Sequence, residues 1–274
     1  MDIKKLIGEG KRMDKEKVTR RFLPYEADYK ILDKCRTAEK ITLYAVGGLS
    51  IIIPVLKKFF SLGLLVEALQ IIDFIMIIAY YILNIVTETF LYPATARKRR
   101  KGFLDDSVGS KYLEKPVAGY YSNDEIAYGS KKMIVNCCEN CFFTYNIAKG
   151  MLSWIIVKNA FLTIVFIFIA YFGFENNAIA LPILQILLST LFLTELIHHI
   201  NFIVKLKTLL ERFWNEFSEK HEETQIFQNA ILFLLDYETT LAYNKAPLSN
   251  KVYKKLRVKL TKEWEQIKQR YDIK

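Results

Sequence analysis

Four long apolar blocks, separated by strongly basic stretches, decide what this chain can fold into. Ile41 to Leu56 is free of charge and is bracketed by Lys40 and Lys57. Leu64 to Tyr92, Leu152 to Phe174 and Ala178 to Val204 are longer still. A helix rises about 1.5 Å per residue and the hydrocarbon core of a bilayer is roughly 30 Å thick, so each longer block can span it. The first block reaches only about 24 Å, and the lysine stems at its two ends can snorkel to make up the difference. Gly47, Gly48 and Ser50 in that block allow another helix to approach closely. Pro54 stands near its end, where it does little harm. The competing reading is a large buried helical core, but none of the longer blocks has the charged face of a soluble amphipathic helix.

Composition agrees with this segregation. Hydrophobic residues make up 52% of the 274 and charged residues 25%, so apolar and charged stretches must lie apart along the chain. Disorder needs a poorer apolar content. With 11 Gly and 6 Pro the chain is not collagen-like, and with 4 Cys it is not a disulfide scaffold. The first 40 residues contain 12 Lys or Arg and no apolar leader, so no cleavable secretory signal is expected there.

The flanks predict orientation. Basic residues precede the first block, Arg97 to Lys101 follow the second, and Lys205, Lys207 and Arg212 follow the fourth. The loop Glu175-Asn176-Asn177 carries none, and only Lys57-Lys58 dissents. The positive-inside bias then places both termini and the central segment in the cytoplasm. The expected fold is all-α: an integral membrane protein with four transmembrane helices in two hairpins. It divides into a basic helical N-terminal segment (1–40), a hairpin (41–93), a cytoplasmic linker and helix (94–151), a second hairpin (152–204) and a helical C-terminal tail (205–274). The formal charge of +10 is concentrated beside the spans, so no nucleic-acid partner is needed to explain it.

Polar residues inside the blocks are the candidate functional groups. Gln70, Asp73, Tyr80, Tyr81, Asn84 and Glu88 recur at helical spacing and fall within a stripe roughly 100° wide. A charged carboxylate facing lipid costs at least about 2.5 kcal/mol, so the stripe must face other helices, a second subunit or water. Thr190, Thr194, His198 and Asn201 form a weaker stripe in the fourth block. Lys158 and Glu195 lie at similar distances from the loop near Asn176 and could pair within the second hairpin. These groups serve either as glue between helices or as the lining of a water-filled path built from several copies. Arg97, Arg99, Arg100 and Lys101 could contact phosphate, either lipid headgroups or a nucleotide.

Cys138 and Cys141 make one C-x-x-C, which is half a zinc site, and no second pair follows. Asn123 or Asp124 could cap the helix that runs through Met133 to Met151. Thr224 to Ala242 and Ser249 to Tyr271 read as amphipathic helices whose apolar faces need a partner, either in the chain, in another subunit or in the membrane surface. No nucleotide-binding loop, nucleophile elbow or metalloprotease motif is found, so no cofactor and no enzymatic activity are expected.

A basic helical N-terminus, two close-set spans, a cytoplasmic middle, two more spans and a helical tail resemble prokaryotic four-transmembrane antiphage effectors, the SMODS-associated membrane proteins encoded beside cyclic-oligonucleotide synthases. The strings that carry the likeness are Ala96-Arg97-Lys98-Arg99-Arg100-Lys101-Gly102-Phe103-Leu104-Asp105-Asp106, Tyr120-Tyr121-Ser122-Asn123, Tyr237-Glu238-Thr239-Thr240, and Leu248-Ser249-Asn250-Lys251-Val252-Tyr253 through Glu263-Trp264. The resemblance implies a dormant homo-oligomeric membrane protein that a cyclic nucleotide made on infection would bind at its cytoplasmic face. Binding would then open a pore, with membrane lipids as the other partner. The alternatives are a non-conducting membrane anchor that recruits a cytoplasmic protein, and a small ion transporter.

Overall fold

The structure, a computed structural model, describes residues 22–60, 63–172, 192–244 and 248–273. Among these the fold is all-helical: α1 (Glu26–Phe59), α2 (Gly63–Val108), α3 (Ser130–Phe172), α4 (Phe192–Ser218), α5 (Glu223–Asn244) and α6 (Asn250–Arg270). Two of them, α2 and α3, are long and apolar enough to cross a membrane. The first block lies within α1, whereas 178–191 and the loop around Asn176 fall outside the described residues.

α2 does not end at Pro93. It runs for 46 residues, about 69 Å, more than twice the thickness of a hydrocarbon core. Proline cannot donate a backbone hydrogen bond and its ring crowds the carbonyl one turn back. Here the helix widens into a π-turn over Val86–Leu91, in which the Tyr92 N–H reaches Thr87 O. One extra residue in the turn accommodates the proline, and the helix continues. It stops at Gly109, whose φ of +71° terminates the last turn while its N–H donates to Asp105 O. The Asp105 carboxylate then receives Ser110 Oγ and the backbone N–H groups of Tyr112 and Leu113, folding the loop back on the helix.

α3 starts at Ser130, later than the cap expected at Asn123 or Asp124. Asn123 is buried and directs its side chain across the loop to Asn136 and Glu139. A short antiparallel pairing of Phe22 with Ala118, 2.8 and 3.0 Å between N and O, ties the start of the described chain to the same loop.

The hydrophobic core lies at one end of the molecule. Phe103, Val135, Phe202, Phe213, Tyr237 and Trp264 belong to a single buried cluster drawn from α2, α3, α4, α5 and α6. The blocks that read as spans show the opposite arrangement. Of the residues in Gly63–Ile85 only Val66 is buried, while Ile71, Phe74, Ile75 and Ile82 face outward, as do Trp154, Phe161 and Ile164 of α3. A water-soluble protein buries its most apolar helix first. This chain buries its mixed helices and leaves the most apolar one bare.

α6 finds its partner within the subunit. Val252 and Leu256 pack where Gly150 lacks a side chain, and Trp264 lies 6.0 Å from the Phe142 ring, so α6 runs antiparallel along α3. Its N-cap is Ser249, whose Oγ accepts the Val252 N–H. Trp264 is fully buried. Trp264→Ala should therefore destabilise this helical bundle by about 3–5 kcal/mol, read as a lower thermal midpoint in detergent. An unchanged midpoint would mean that α6 is not part of this core.

Candidate functional site

The polar stripe of α2 divides into two parts. In its lower part, Asn84 donates to Glu39 of α1 at 2.7 Å and Glu88 accepts from Arg36 at 3.1 Å. The Arg36 guanidinium also lies 5.1 Å from the centre of the Tyr92 ring, and Tyr92 Oη reaches Leu241 O of α5 at 3.4 Å. Asn84 and Glu88 are thus engaged within the subunit, binding α1 to α2 just before and within the π-turn.

The upper part has no such partners. Because Asn84 meets Glu39, Asp73, eleven positions earlier, stands level with Ser50, eleven positions later. That level of α1 belongs to the charge-free run 41–56 and offers no cation. Asp73 is half-buried and its Oδ1, though shielded from solvent, has no hydrogen-bond partner among the described residues, while Gln70 is exposed. Gln70 and Asp73, with the exposed Tyr81, are therefore the stripe residues that the described part of the subunit does not engage as it does Asn84 and Glu88.

Below the π-turn, the basic run also divides. Arg99 points inward and donates through Nη2 to both oxygens of Glu238 on α5, at 2.8 and 2.6 Å. Burial alone pulls its pKa down, but Glu238, Tyr29 and Tyr237 outweigh this, so the guanidinium is held charged. Arg99 is accordingly an internal strut and is not free to grip a phosphate. Lys98 holds Asp28 of α1 at 2.8 Å. Arg100 makes a looser contact with Glu238 at 3.6 Å and remains exposed, as do Arg97 and Lys101. The exposed members of the run are the ones available to a phosphate.

Lys158 of α3 and Glu195 of α4 come together in an ion pair. Of the weaker stripe, Thr190 lies outside the described residues, and His198 and Asn201 face outward. The histidine that turns inward is His199, bonded to Ala148 O at 2.8 Å. The three cysteines of α3 are fully buried. Cys137 and Cys141 Sγ donate to the carbonyls of Phe233 and Leu206, and desolvation raises all three thiol pKa values, so none is a reactive thiolate. No three potential metal ligands converge among the described residues.

Sequence reasoning missed a second polar network in the buried helical bundle. Asn123 Nδ2 donates to Glu139 Oε2 at 2.7 Å and to Asn136 Oδ1 at 2.9 Å. Asn136 in turn donates to Asp106 at 2.8 Å, and Lys132 approaches the same carboxylate. Burial pushes the Glu139 carboxyl up to about 8, against opposing contributions from the Ser122 N–H, Lys268 and Asn123. The available signal was a lone carboxylate in the otherwise uncharged run Met133 to Phe143.

The site therefore consists of a Gln70–Asp73 segment without a cation partner among the described residues, a hydrogen-bonded junction around the π-turn, and an Arg99–Glu238 strut that joins the same helix to the buried helical core. Comparison with protein-family models, with curated proteins and with solved structures finds no match to this chain.

Proposed function

We propose that this protein is a bacterial inner-membrane effector of antiphage defence, which assembles from several copies and opens a pore when an infection signal, a cyclic nucleotide, reaches its cytoplasmic bundle. In this reading the chain crosses the bilayer four times with both termini inside, and no catalytic step is involved. The observation that carries it is Asp73, half-buried along the most apolar helix, whose shielded Oδ1 has no hydrogen-bond partner among the described residues. Lipid cannot solvate that charge. A second copy with water between can. The resemblance in layout to SMODS-associated effectors supplies the biological setting.

A ligand can open such a pore only by binding the open or assembled state more tightly than the resting one. α2 offers a route for this bias. Its membrane portion carries Asp73, and its cytoplasmic portion carries the exposed Arg97, Arg100 and Lys101, with no break in the helix between them.

Leakage from vesicles reconstituted with the purified protein tests the proposal. Dye or ion release should require a cyclic oligonucleotide, and Asp73→Leu should alter ion selectivity or abolish release. Absence of release with every cyclic nucleotide would favour a non-conducting anchor. Release unchanged in size and selectivity by Asp73→Leu would remove Asp73 from the path. A reporter fused at Asn176 should map outside the cell, and a cytosolic signal there would overturn the four-span topology.

A further inference from the structure

α6 opens with a group of cations that the chain leaves unneutralised. Lys251, Lys254 and Lys255 are exposed. Among the described residues the ion pairs of α6 are Lys259 with Glu263 and Lys268 with Glu265, all further along the helix. Asp33 reaches the same end of α6, but its Oδ2 accepts from Asn250 at 3.0 Å. Lys34, next to Asp33, and Lys149, next to Gly150, stand at this level too, and both are exposed. Like charges gathered in this way repel one another, so this end of the bundle gains from an anionic surface.

We infer that these lysines hold the headgroup phosphates of anionic phospholipids at the cytoplasmic side of the bilayer. The inference rests on the membrane reading above and names the lipid class. α6 lies antiparallel along α3, and the depth of its start is fixed by contacts. The Ser249 N–H meets Met151 Sδ at 3.2 Å, and Val252 and Leu256 pack on Gly150. The apolar run of α3 begins at Leu152, one residue beyond Met151. Lys251, Lys254 and Lys255 therefore stand where α3 enters the bilayer in that reading, and their long stems bring the ammonium groups within reach of headgroups.

Two bare rings at the same level favour lipid over a soluble polyanion. Trp154 lies one turn beyond Gly150 on the same face of α3, past the point where α6 starts, and is 71% exposed. Tyr243, close to the contact of Leu241 with Tyr92, is 81% exposed. A nucleic acid or an acidic protein on the lysines gives no reason for a bare indole beyond them. Amphipathic rings above a cationic layer are what a membrane–water boundary selects. Depth sharpens the distinction. Lys262 shares the lysine side of α6 but lies eleven residues further along, about 16 Å deeper in water. That exceeds the screening length of about 10 Å at 0.1 M salt. Lys262 should therefore take little part, whereas a soluble polyanion lying along the helix would use it as well.

The experiment uses the full chain in vesicles of phosphatidylcholine with a minor share of phosphatidylglycerol. One lipid or the other carries bromine near the top of its acyl chains, and quenching of Trp154 emission is measured, with Trp154→Phe supplying the background from Trp214 and Trp264. Brominated phosphatidylglycerol should quench about five-fold more than its share of the bilayer predicts. The excess should vanish when Lys251, Lys254 and Lys255 are all changed to Gln. It should vanish in the parent as well when salt rises from about 0.1 M to about 1 M, where screening shortens to about 3 Å. Lys111→Gln with Lys220→Gln and Lys262→Gln removes the same charge from exposed positions further from the apolar runs, and should keep the excess. The assignment is overturned if quenching follows bulk composition, if both triple variants lose the excess alike, or if inorganic phosphate at matched ionic strength abolishes it, which would make the lysines a site for soluble phosphate. Quenching by both lipids in proportion removes the lipid preference alone. Quenching by neither places Trp154 outside the bilayer and overturns the membrane reading with it.

Discussion

Glu238→Gln is expected to lower the thermal midpoint of the detergent-solubilised protein by on the order of 10 °C, from a loss of about 3–5 kcal/mol. Arg99 and Glu238 are both largely buried, and the two short contacts of Nη2 with the carboxylate are what keep a full positive charge tolerable there. Removing the carboxylate leaves that charge stranded, which costs far more than the pair's net contribution. Replacing both residues together, Arg99→Leu with Glu238→Leu, should therefore recover most of the loss, because no uncompensated charge remains. The cycle also discriminates between roles. Were Arg99 held ready for a phosphate ligand, Glu238→Gln would barely change the midpoint and would tighten nucleotide binding. If instead it is a strut, the midpoint falls, while binding depends on the exposed Arg97, Arg100 and Lys101.

The strut matters because it joins elements 139 positions apart in sequence. Arg99 belongs to the helix that carries Asp73, and Glu238 belongs to α5. This pair and the contact of Tyr92 with Leu241 tie α5 to α2 on both sides of Pro93. The π-turn lies directly above, at the level where Arg36 and Glu39 fasten α1. π-Turns are frequent at functional sites and mark places where a helix changes register at modest cost.

How much of this was legible in the sequence depends on the range of the interaction. The apolar blocks declared themselves because a run such as Leu64 to Tyr92 is longer than a soluble core helix tolerates without a charged face. The bareness of Ile71, Phe74 and Ile75 agrees with that reading. The pairing of Lys158 with Glu195 could be anticipated by counting along a hairpin, where chain connectivity fixes the register. Arg36 with Glu88 and Arg99 with Glu238 could not, since periodicity shows which side of a helix a residue occupies and not what packs there. In the sequence Arg36 and Arg99 stand in basic flanks, and Arg99 is also a candidate phosphate contact, roles that treat neighbouring cations alike. Pro93 is a local signal for the end of a helix, but tertiary support at Thr87 and Glu88 lets the helix absorb it. Glu139 was overlooked because its importance comes from burial, which no local pattern in α3 announces.

Glu139 leads to the second large expectation, a stability that falls as pH rises. Unfolded, its carboxyl titrates near 4.5, and in the folded bundle burial raises it to about 8. The fold therefore binds this proton more tightly than the unfolded chain does. The stabilisation is complete below 4.5 and is lost progressively as pH climbs to about 8, at up to about 1.4 kcal/mol per pH unit. Asp106 contributes in the same sense, since burial raises its pKa against Lys132 and Asn136. Glu139→Gln supplies a permanently neutral group that can still accept from Asn123. It should flatten most of the decline between pH 5 and 8 and leave the variant more stable than the parent at pH 8.5, with a residual slope at lower pH from Asp106. Thermal midpoints of the two proteins across that range provide the measurement. Parallel pH profiles would show that Glu139 is already ionised in the folded bundle, held by Lys268, whose Nζ reaches Ser122 O at 2.8 Å and lies beside the same loop.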